Sequence, residues 1–366
     1  MTPLVTVLMS VHNGAAFVGD AVRSILEQTF TDFELVVIDD GSDDGSSEIV
    51  AAYRDPRVRI LRNESNLGLT RSLNIGLAAA RGGLVARQDA DDISLPDRLR
   101  RQVTAFAAQP AMVLLGTQAH VVSERGRRVP AAGWRKCTTP LGIEWQLMFE
   151  NPFVHSSVMF RRDVILDDFS GYDETFRTNQ DIELWSRVAH RYPAGNLDDP
   201  LLVLRVRARS VSKSYSIEAL RRVGDRLIEN RTLSLRRACE WDEALRIYVA
   251  AMNPGVCLPV HDLEPFIVSV REMLHRFEQV QPRAAETPEI RRHVGSLFTR
   301  LANLVAAHAP REAFRVLSAA REFDRGASWR AAPLVAARVL LGSIGRGRPS
   351  GTEELVPPPR AAGNRS

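Results

Sequence analysis

Cysteine is scarce in this chain. The 366 residues include three cysteines, Cys137, Cys239 and Cys257, which lie far apart and form no Cys-x-x-Cys pair. Neither a disulfide framework nor a zinc cluster is therefore expected to organise the fold. A reducing cytosol is the compartment that fits this cysteine usage best.

Long apolar runs are also missing. No uninterrupted apolar stretch reaches ~18 residues, and the N-terminus lacks the basic start and apolar core of a signal peptide, so we expect no membrane-spanning helix. Lysine occurs only at Lys136 and Lys213, so nearly all basic residues are arginine, and many of them lie in the last third of the chain. These arginines favour anionic partners, although the net charge of +4 is small and no nucleic-acid partner is expected.

The two common glycine-rich phosphate motifs are absent. The chain contains neither Gly-x-x-x-x-Gly-Lys nor Gly-x-Gly-x-x-Gly, which argues against a P-loop and against a dinucleotide site. If a phosphate binds here, a metal ion must hold it.

An acidic loop is the strongest positive signal. Asp89, Asp91 and Asp92 directly follow a short apolar run, and Pro96 suits the first turn of a following helix, so the three carboxylates lie in a strand-to-helix loop. Carboxylates this close repel one another, and a divalent cation with oxygen ligands is the usual relief. An isolated Asp-x-Asp is more often an acidic turn that only caps the next helix. Other motifs in the chain are therefore needed to distinguish a metal site from a helix cap.

Three strand-helix units precede this loop. Strands are predicted at residues 4–9, 33–38 and 58–61, each followed by apolar residues at helical spacing. Right-handed crossovers place these strands beside residues 84–87 in a parallel sheet. A second acidic loop, at residues 39–45, opens at the same edge of the sheet.

The later part of the chain is predicted to change character. Further strands are expected at residues 112–116, 156–160 and 201–206 and a helix at 141–149, with residues 125–140 as a surface insertion. Beyond residue 214 the spacing is helical, and the Gly-, Pro- and Arg-rich end should be disordered. The predicted regions are 1–213, 214–345 and 346–366.

Two single residues leave alternatives open. Asp181 stands at the start of a predicted helix, where it can be an N-terminal cap or a catalytic group, and the local sequence does not choose between them. His155 stands at the mouth of a predicted strand, where a structural histidine is more common than a ligand.

Motifs in four stretches together resemble the family 2 inverting glycosyltransferases. The motifs are Asp39-Asp40-Gly41-Ser42-x-Asp44, Asn66-x-Gly68 with Arg71 and Asn74-x-Gly76, Asp89-x-Asp91-Asp92 with Pro96-x-Arg98-Leu99, and Gln180-Asp181-x-x-Leu184-Trp185-x-Arg187. The resemblance spans about residues 4 to 213. It implies a GT-A fold, an α/β Rossmann-like fold with a mainly parallel central sheet and helices on both faces. A nucleotide-sugar would lie across the carboxyl ends of the strands.

The resemblance also implies roles for individual residues. Asp39 or Asp40 would contact the nucleobase, and Asp89 the ribose and the metal side. Asp91 would bind the metal, Mg²⁺ or Mn²⁺, and Asp181 would be the base that takes the proton from the acceptor. The rest of the implied nucleotide-sugar site consists of Ser10, His12, Asn13, Arg71, Arg205 and Arg207. The implied acceptor side consists of His155, Ser157 and Trp185.

The chain departs from the family pattern at three places. Ser10-Val11-His12-Asn13 stands where the family often has Pro-x-Tyr-Asn, which removes an aromatic stack on the base. Arg205-Val206-Arg207 stands where Arg-x-His is common, and an arginine can pair with a diphosphate through two hydrogen bonds but cannot ligate a metal. Gln180 replaces a residue that is commonly acidic.

The expected function is transfer of a sugar from a UDP- or dTDP-sugar to a hydroxyl of a glycan or lipid-linked acceptor, with inversion, in cell-surface polysaccharide synthesis. A sugar nucleotidyltransferase and a non-catalytic glycan-assembly subunit are the alternatives, although residues 10–14 lack the glycine-rich basic loop that the former needs. We expect a cytoplasmic protein. The basic amphipathic residues 329–344 either rest on an anionic membrane surface or form a last helix packed on the domain.

Overall fold

The computed structural model describes residues 2–129, 135–207, 217–240, 263–306 and 309–324, together with 332, 335 and 336. The chain divides into two compact units, and the described residues up to 207 belong to the first and those from 217 onward to the second. Residues 242–252, in the region predicted to be helical, and the tail at 346–366 lie outside the described residues, as does nearly all of the amphipathic segment 329–344.

An eight-stranded sheet forms the centre of the first unit. Its strands are β1 Val5–Val11, β2 Phe33–Asp39, β3 Val58–Arg62, β4 Leu84–Asp89, β5 Ile93–Ser94, β6 Leu114–Ser123, β7 Met159–Arg161 and β8 Ala194–Val206. Their order in the sheet is β3-β2-β1-β4-β7-β6-β8-β5. The first four strands pair in parallel, as does β6 with β8, whereas β7 is antiparallel to both β4 and β6 and β5 is antiparallel to β8.

Helices flank the sheet. In the first unit they are α1 Val18–Leu26, α2 Ser46–Ala51, α3 Leu69–Ala79, α4 Arg98–Ala108, α5 Pro140–Leu147, α6 Arg162–Phe169 and α7 Gln180–Ala189, with a 3-10 turn at His155–Ser157. In the second unit they are α8 Ile217–Leu235, α9 Glu264–Val280, α10 Pro288–Val305 and α11 Pro310–Ala320, with a 3-10 turn at Pro282–Glu286. No helix in the described part of the chain is long and apolar enough to cross a bilayer.

The first strands are apolar at nearly every position because both of their faces are covered. Val5, Val7 and Met9 of β1 share one core cluster with the apolar side of α1. On the other face, a side chain at Gly76 of α3 would collide with Leu8, so α3 packs closely there. The arrangement confirms the predicted central sheet with helices on both faces.

Three element boundaries differ from the prediction. The stretch predicted as a strand at residues 156–160 is a 3-10 turn followed by the short β7, because the buried Ser156 and Ser157 bond outside the sheet ladder. Strand β6 runs seven residues past the predicted end at 116, and β8 begins seven residues before the predicted start at 201. The two strands pair along this length through a register irregularity at Thr117 and Gln118, polar residues that interrupt the apolar pattern.

Candidate functional site

The two acidic loops open at one edge of the sheet. In the parallel register Val11 of β1 pairs with Asp39 of β2, and Ser10 of β1 pairs with Asp89 of β4. The residues that follow these three strands are therefore neighbours. Ser10 itself is only partly buried, at the end of the central strand of the three.

Asp40 has a structural role in the first loop. Its carboxylate accepts hydrogen bonds from Asn63 Nδ2 at 2.8 Å, from the Leu67 amide at 2.8 Å and from the Gly68 amide at 2.9 Å. The side chain is 2% exposed. It fixes the turn that leads into α3, and its oxygens are already bonded.

Asp39 is arranged differently. Its Oδ1 accepts a hydrogen bond from the Ser42 amide at 2.9 Å, whereas Oδ2 is buried and has no hydrogen-bond partner in the described part of the chain. Arg62 Nε lies 3.5 Å from Oδ2, which is an ion-pair contact but too long for a well-formed hydrogen bond. A buried oxygen without a donor is costly, so Asp39 offers an acceptor that a ligand N–H would satisfy.

The loop after β1 is tied to this first acidic loop. His12 donates from Nδ1 to the Asp40 carbonyl at 2.9 Å, and the Asn13 amide donates to Ser42 Oγ at 3.1 Å. Asn13 adopts a left-handed φ of 49°, which asparagine tolerates better than most residues. His12 and Asn13 are both exposed at the edge of the site, where a ligand can reach them.

The three carboxylates of the second loop are not equivalent. Asp92 is 1% exposed and accepts hydrogen bonds from Ser156 Oγ and, at 2.8 Å, from the Arg205 amide. Burial, reinforced by the negative charges of Asp89 and Asp91, raises the pKa of Asp92 well above its ordinary value. Asp92 therefore joins the 3-10 turn to β8 and is a structural residue.

Asp89 and Asp91 each face one guanidinium group. Arg87 Nη2 lies 2.5 Å from Asp89 Oδ1, and Arg207 Nε lies 2.7 Å from Asp91 Oδ2. Burial is the largest influence on Asp89 and raises its pKa, but the charge and hydrogen bond of Arg87, together with the charges of His155 and Arg207, outweigh burial and leave that pKa below its ordinary value. Burial and the charge of Asp89 raise the pKa of Asp91, against the opposing effect of Arg207.

The two carboxylates fit a divalent cation that takes most of its ligands from elsewhere. In the described ranges no group of three or more His, Cys, Asp or Glu side chains could hold a metal ion. Asp89 and Asp91 each keep a second oxygen that bonds no other side chain there. Mg²⁺ is commonly held by one or two carboxylates together with water and substrate phosphates, so this donor set is compatible with it.

The end of β8 rests on an aromatic ring. The guanidinium carbons of Arg205 and Arg207 lie 5.0 and 5.4 Å from the centroid of Phe17. Arg205 also donates to the carbonyls of Asp91 and Glu124, both at 3.1 Å, so its guanidinium is largely committed to the backbone. Phe17 is the N-cap residue of α1, and no local sequence signal indicates that it supports the two arginines.

A fully buried arginine anchors the second loop. Arg98 donates hydrogen bonds to Arg87 O at 2.7 Å, Ser94 Oγ at 2.9 Å, Gln88 Oε1 at 3.0 Å and Val158 O at 3.2 Å. Burial, together with the charge of Arg87, lowers the pKa of Arg98 to about 9, so it remains charged at neutral pH. The side chain thus fixes β4 and the acidic loop against the chain that follows the 3-10 turn.

Arg71 pairs away from the acidic loops. Its Nε lies 3.3 Å from Glu174 Oε2, and both side chains are about half exposed. Asn74, one turn further along α3, bonds to the backbone N–H and C=O of Tyr172. Helix α3 therefore holds the turn that precedes α7.

Asp181 does not cap its helix. The N-cap position of α7 is Asn179, with a left-handed φ of 60°, and Asp181 is the second helical residue. Its Oδ2 accepts a hydrogen bond from Asn151 Nδ2 at 2.7 Å, which is the one hydrogen bond that this side chain makes among the described residues. Asp181 thus lies in the first turn of α7, where the helix dipole favours a negative charge, but it makes no capping hydrogen bond and keeps one carboxylate oxygen available.

His155 and Tyr172 link Asp181 to the acidic loop. His155 Nε2 lies 3.2 Å from the Tyr172 hydroxyl, and both groups interact electrostatically with Asp89 and with Asp181. Burial, together with the charge of Arg87, lowers the pKa of His155 to about 4, so the imidazole is neutral at pH 7. Burial raises the pKa of Tyr172 above its ordinary value. No sequence motif singles out Tyr172 as a residue of this site.

Two residues predicted on the acceptor side are fully buried. Ser157 is fully buried, and its hydroxyl bonds to the backbone of Thr117. Trp185 is fully buried and packs against the rings of Phe160 and Tyr172, with centroid separations of 5.6 and 5.8 Å. Both side chains form the wall behind His155, which is itself only partly buried.

Comparison with known proteins shows which family the chain resembles. The family model for Glycosyl transferase family 2 matches residues 6–169. The O-antigen biosynthesis glycosyltransferase WbnJ of Escherichia coli is 33% identical over 219 residues, which are 58% of this chain and 83% of that protein. The putative glycosyltransferase EpsE of Bacillus subtilis strain 168 is 32% identical over 229 residues, 59% of this chain and 79% of that protein.

Solved structures support the fold. Residues 1–349 of S. aureus TarS in complex with UDP-GlcNAc match with a TM-score of 0.52 and 17% identity, covering 90% of this chain and 91% of that one. The predicted GT-A fold followed by a helical region is confirmed. Because more than two thirds of WbnJ and of EpsE align with this chain at above 30% identity, the chain belongs to glycosyl transferase family 2 and is a glycosyltransferase.

Proposed function

We propose that the enzyme moves a sugar from a nucleoside diphosphate donor to a hydroxyl of a glycan or lipid-linked acceptor, inverts the anomeric centre, and serves polysaccharide synthesis. The relatives support this product class. WbnJ is named for O-antigen biosynthesis, and AmsE of Erwinia amylovora, 33% identical over 199 residues, is named for amylovoran biosynthesis. A UDP- or dTDP-sugar is the donor we favour, and the UDP complexes of TarS support the former.

One observation carries the proposal. Asp181 keeps one oxygen available beside its bond to Asn151, and the charges of Asp181 and of Asp89 both act on His155 and Tyr172, whose side chains lie 3.2 Å apart. Sugar transfer from a nucleoside diphosphate needs charge stabilisation on one side of the sugar and proton removal on the other. The two groups supply one function each.

The donor side is formed by the two acidic loops and the end of β8. We assign the nucleobase contact to Asp39, because its Oδ2 is buried without a donor, whereas the carboxylate of Asp40 is occupied. Asp91 and Asp89 would hold Mg²⁺ or Mn²⁺, which when bound supplies Lewis-acid stabilisation to the departing diphosphate. Arg207 is positioned to turn from Asp91 to the phosphate oxygens, which it can bind with two parallel hydrogen bonds.

The acceptor side is formed by α7 and the 3-10 turn. Asp181 takes the proton of the acceptor hydroxyl on its unbonded oxygen while that hydroxyl attacks the anomeric carbon. A single displacement from the face opposite the diphosphate inverts the configuration and needs no enzyme-bound intermediate. His155 is neutral at pH 7, so it can form a hydrogen bond to the acceptor without placing a positive charge beside Asp181.

A donor panel tests the proposal. The enzyme is incubated with individual nucleotide-sugars and candidate acceptors, with and without a chelator, and the products are identified by mass spectrometry and by NMR at the anomeric centre. We expect free nucleoside diphosphate, an inverted product and loss of turnover in chelator. Release of pyrophosphate would indicate nucleotidyl transfer, a retained configuration would reject the single displacement, and full turnover in excess chelator would reject the metal.

A peripheral membrane association is a second part of the proposal. It rests on the sequence pattern alone, because residues such as Trp329, Arg330 and Arg338 lie outside the described ranges. A lipid-linked acceptor would be reached more readily from the membrane surface. Full-length protein should float with anionic vesicles and a form ending at residue 325 should not, and equal flotation of the two would contradict the association.

A further inference from the structure

We infer that Asn151 is a positioning residue for catalysis, which holds one oxygen of Asp181 so that the other faces the acceptor. The inference rests on the proposed role of Asp181 as the base. The local sequence gives Asn151 only the role of ending a helix, together with Pro152. The tertiary structure brings its side chain to the start of a helix 30 positions later in the chain.

The contact between the two side chains is short. Asn151 Nδ2 donates to Asp181 Oδ2 at 2.7 Å, at the short end of the range for N–H···O bonds and typical of a charged acceptor. It is the only hydrogen bond that the Asp181 side chain makes within the described ranges. Without this donor the carboxylate would be free to rotate about its side-chain torsions at the partly exposed start of α7.

Asn151 is itself held in place before it meets Asp181. Its Oδ1 accepts a hydrogen bond from the Phe153 amide at 3.0 Å, and its carbonyl oxygen accepts one from Lys136 Nζ at 2.8 Å. The backbone N–H requires an oxygen and the carboxylate requires an N–H, so the two contacts together determine which way the amide points. A preorganised donor of this kind orients the base before the acceptor arrives.

Several other titratable or charged groups surround the pair. His155 and Tyr172 act on Asp181 electrostatically from the 3-10 turn and from the turn before α7. Lys136 also lies 3.8 Å from Glu150, and on α7 itself Glu183 is paired with Arg187. None of these residues makes a hydrogen bond to Asp181 within the described ranges, so the amide of Asn151 has no substitute there.

The first experiment measures kcat, donor KM and the pH profile for Asn151→Ala and Asn151→Asp. We expect Asn151→Ala to lower kcat about 10- to 100-fold and to leave donor KM within about twofold, because a displaced catalytic group costs rate rather than donor binding. Asn151→Asp keeps an acceptor for the Phe153 amide and therefore the local turn. It places a second carboxylate beside Asp181, so the acidic limb of the kcat profile should move to higher pH by about one unit or more.

The second experiment repeats Asn151→Ala in an Asp181→Asn background. If Asn151 acts through Asp181, the additional substitution should alter the residual rate less than about twofold, because the effects of substituting two residues that work as one unit do not add. Melting temperatures of all variants report folding, and Asn151→Asp keeps the test valid if the alanine variant is unstable.

The outcomes separate this inference from the proposed function. Near-normal turnover of Asp181→Asn would reject Asp181 as the base. If Asp181→Asn is inactive while Asn151→Ala keeps full kcat, or while Asn151→Asp shows an unshifted profile, Asp181 remains the base and the positioning role of Asn151 is rejected. Equal losses from Asn151→Ala in both backgrounds would also reject it, since that result indicates a structural effect independent of Asp181.

Discussion

Arg207 Nε lies 2.7 Å from Asp91 Oδ2, so the carboxylate proposed to bind the metal already has a counter-ion from the protein. The guanidinium also stacks over Phe17, 5.4 Å from the ring centroid, which gives it a second support. A metal cation and the guanidinium of Arg207 therefore compete for the carboxylate of Asp91, unless Arg207 binds a diphosphate instead.

Arg207→Ala should change two affinities in opposite directions. The affinity for nucleoside diphosphate should fall about 10- to 100-fold, since a hydrogen bond to a charged group contributes about 1.5–3 kcal/mol. The affinity for Mn²⁺ alone should rise, because Asp91 loses its internal competitor. Isothermal titration calorimetry measures both. Arg101→Ala, which removes an exposed arginine paired with Asp199, is the matched control. If both affinities stay at the wild-type value, Arg207 is a surface residue with no part in the site.

Asp91→Ala should abolish binding of the nucleotide-sugar while changing the melting temperature little, because the side chain is 23% exposed and its one side-chain partner in the described ranges is Arg207, with which it forms an ion pair. Asp43→Ala, which removes an exposed acid of the first loop, should leave binding intact. Donor affinity is measured with Mg²⁺ present and again with a chelator. Wild-type donor affinity of Asp91→Ala in the presence of Mg²⁺ would contradict the assigned role.

Asp39→Asn and Asp40→Asn should have different effects. Asp39→Asn should weaken nucleoside diphosphate binding about tenfold or more with little loss of stability, because the oxygen it alters accepts no hydrogen bond and makes only a 3.5 Å ion-pair contact with the exposed Arg62. Asp40→Asn should lower the free energy of unfolding by about 1–3 kcal/mol, because an amide cannot accept all three of the present hydrogen bonds. Urea unfolding and calorimetric titration of both variants separate the two roles, and the reverse pattern would assign the nucleobase contact to Asp40.

Asp181→Asn should reduce kcat about 10²- to 10⁴-fold and preserve donor affinity, because a positioned general base typically contributes that much. The amide keeps the size of the side chain, and a carbonyl oxygen can still accept from Asn151. Asp173→Asn, in the turn before α7, should retain turnover and serves as the control. A normally folded Asp181→Asn enzyme with normal turnover would send the search for the base to that turn.

His155 should make stability depend on pH. Its pKa is about 4 in the folded protein against 6.5 for an ordinary histidine, so between these values the unfolded chain binds a proton that the folded protein does not. The free energy of unfolding should therefore be fully retained above pH 6.5 and fall as the pH drops toward 4, with about 1.4 kcal/mol lost for each unit of pKa difference.

Replacing the imidazole should remove this dependence. His155→Gln, which can still bond to Tyr172, should show a shallower loss of stability over the same range, and His12→Gln, at an exposed histidine, should follow the wild type. Urea unfolding at a series of pH values measures the difference. Parallel curves for His155→Gln and the wild type would show that His155 is not the source.

The framework of the first unit could be predicted from the sequence. Apolar runs flanked by helical spacing identify strands that are covered on both faces, and the crossover rule then places the acidic loops at one edge of the sheet. The order of the motifs identified the family, because each motif follows a strand or opens a helix whose position the apolar pattern predicts. Polar residues hid the full length of β6, because Thr117 and Gln118 bond within the interior and break the apolar pattern. In β8 the same effect comes from Asp198, Asp199 and Pro200, which precede the apolar run at residue 201.

The tertiary structure alone shows which of these acids are committed to hydrogen bonds and which keep an available oxygen. Asp39 and Asp40 are indistinguishable in sequence, and so are Asp91 and Asp92, but the hydrogen-bond partners that occupy Asp40 and Asp92 come from other elements. The Arg205 amide that bonds to Asp92 is 113 positions away. A carboxylate is free or committed according to the donors that folding brings to it, and local sequence does not contain those donors. The sequence by itself therefore determines that several acids lie at this edge of the sheet. The fold determines which of them are buried against distant N–H and O–H groups and which keep an available oxygen.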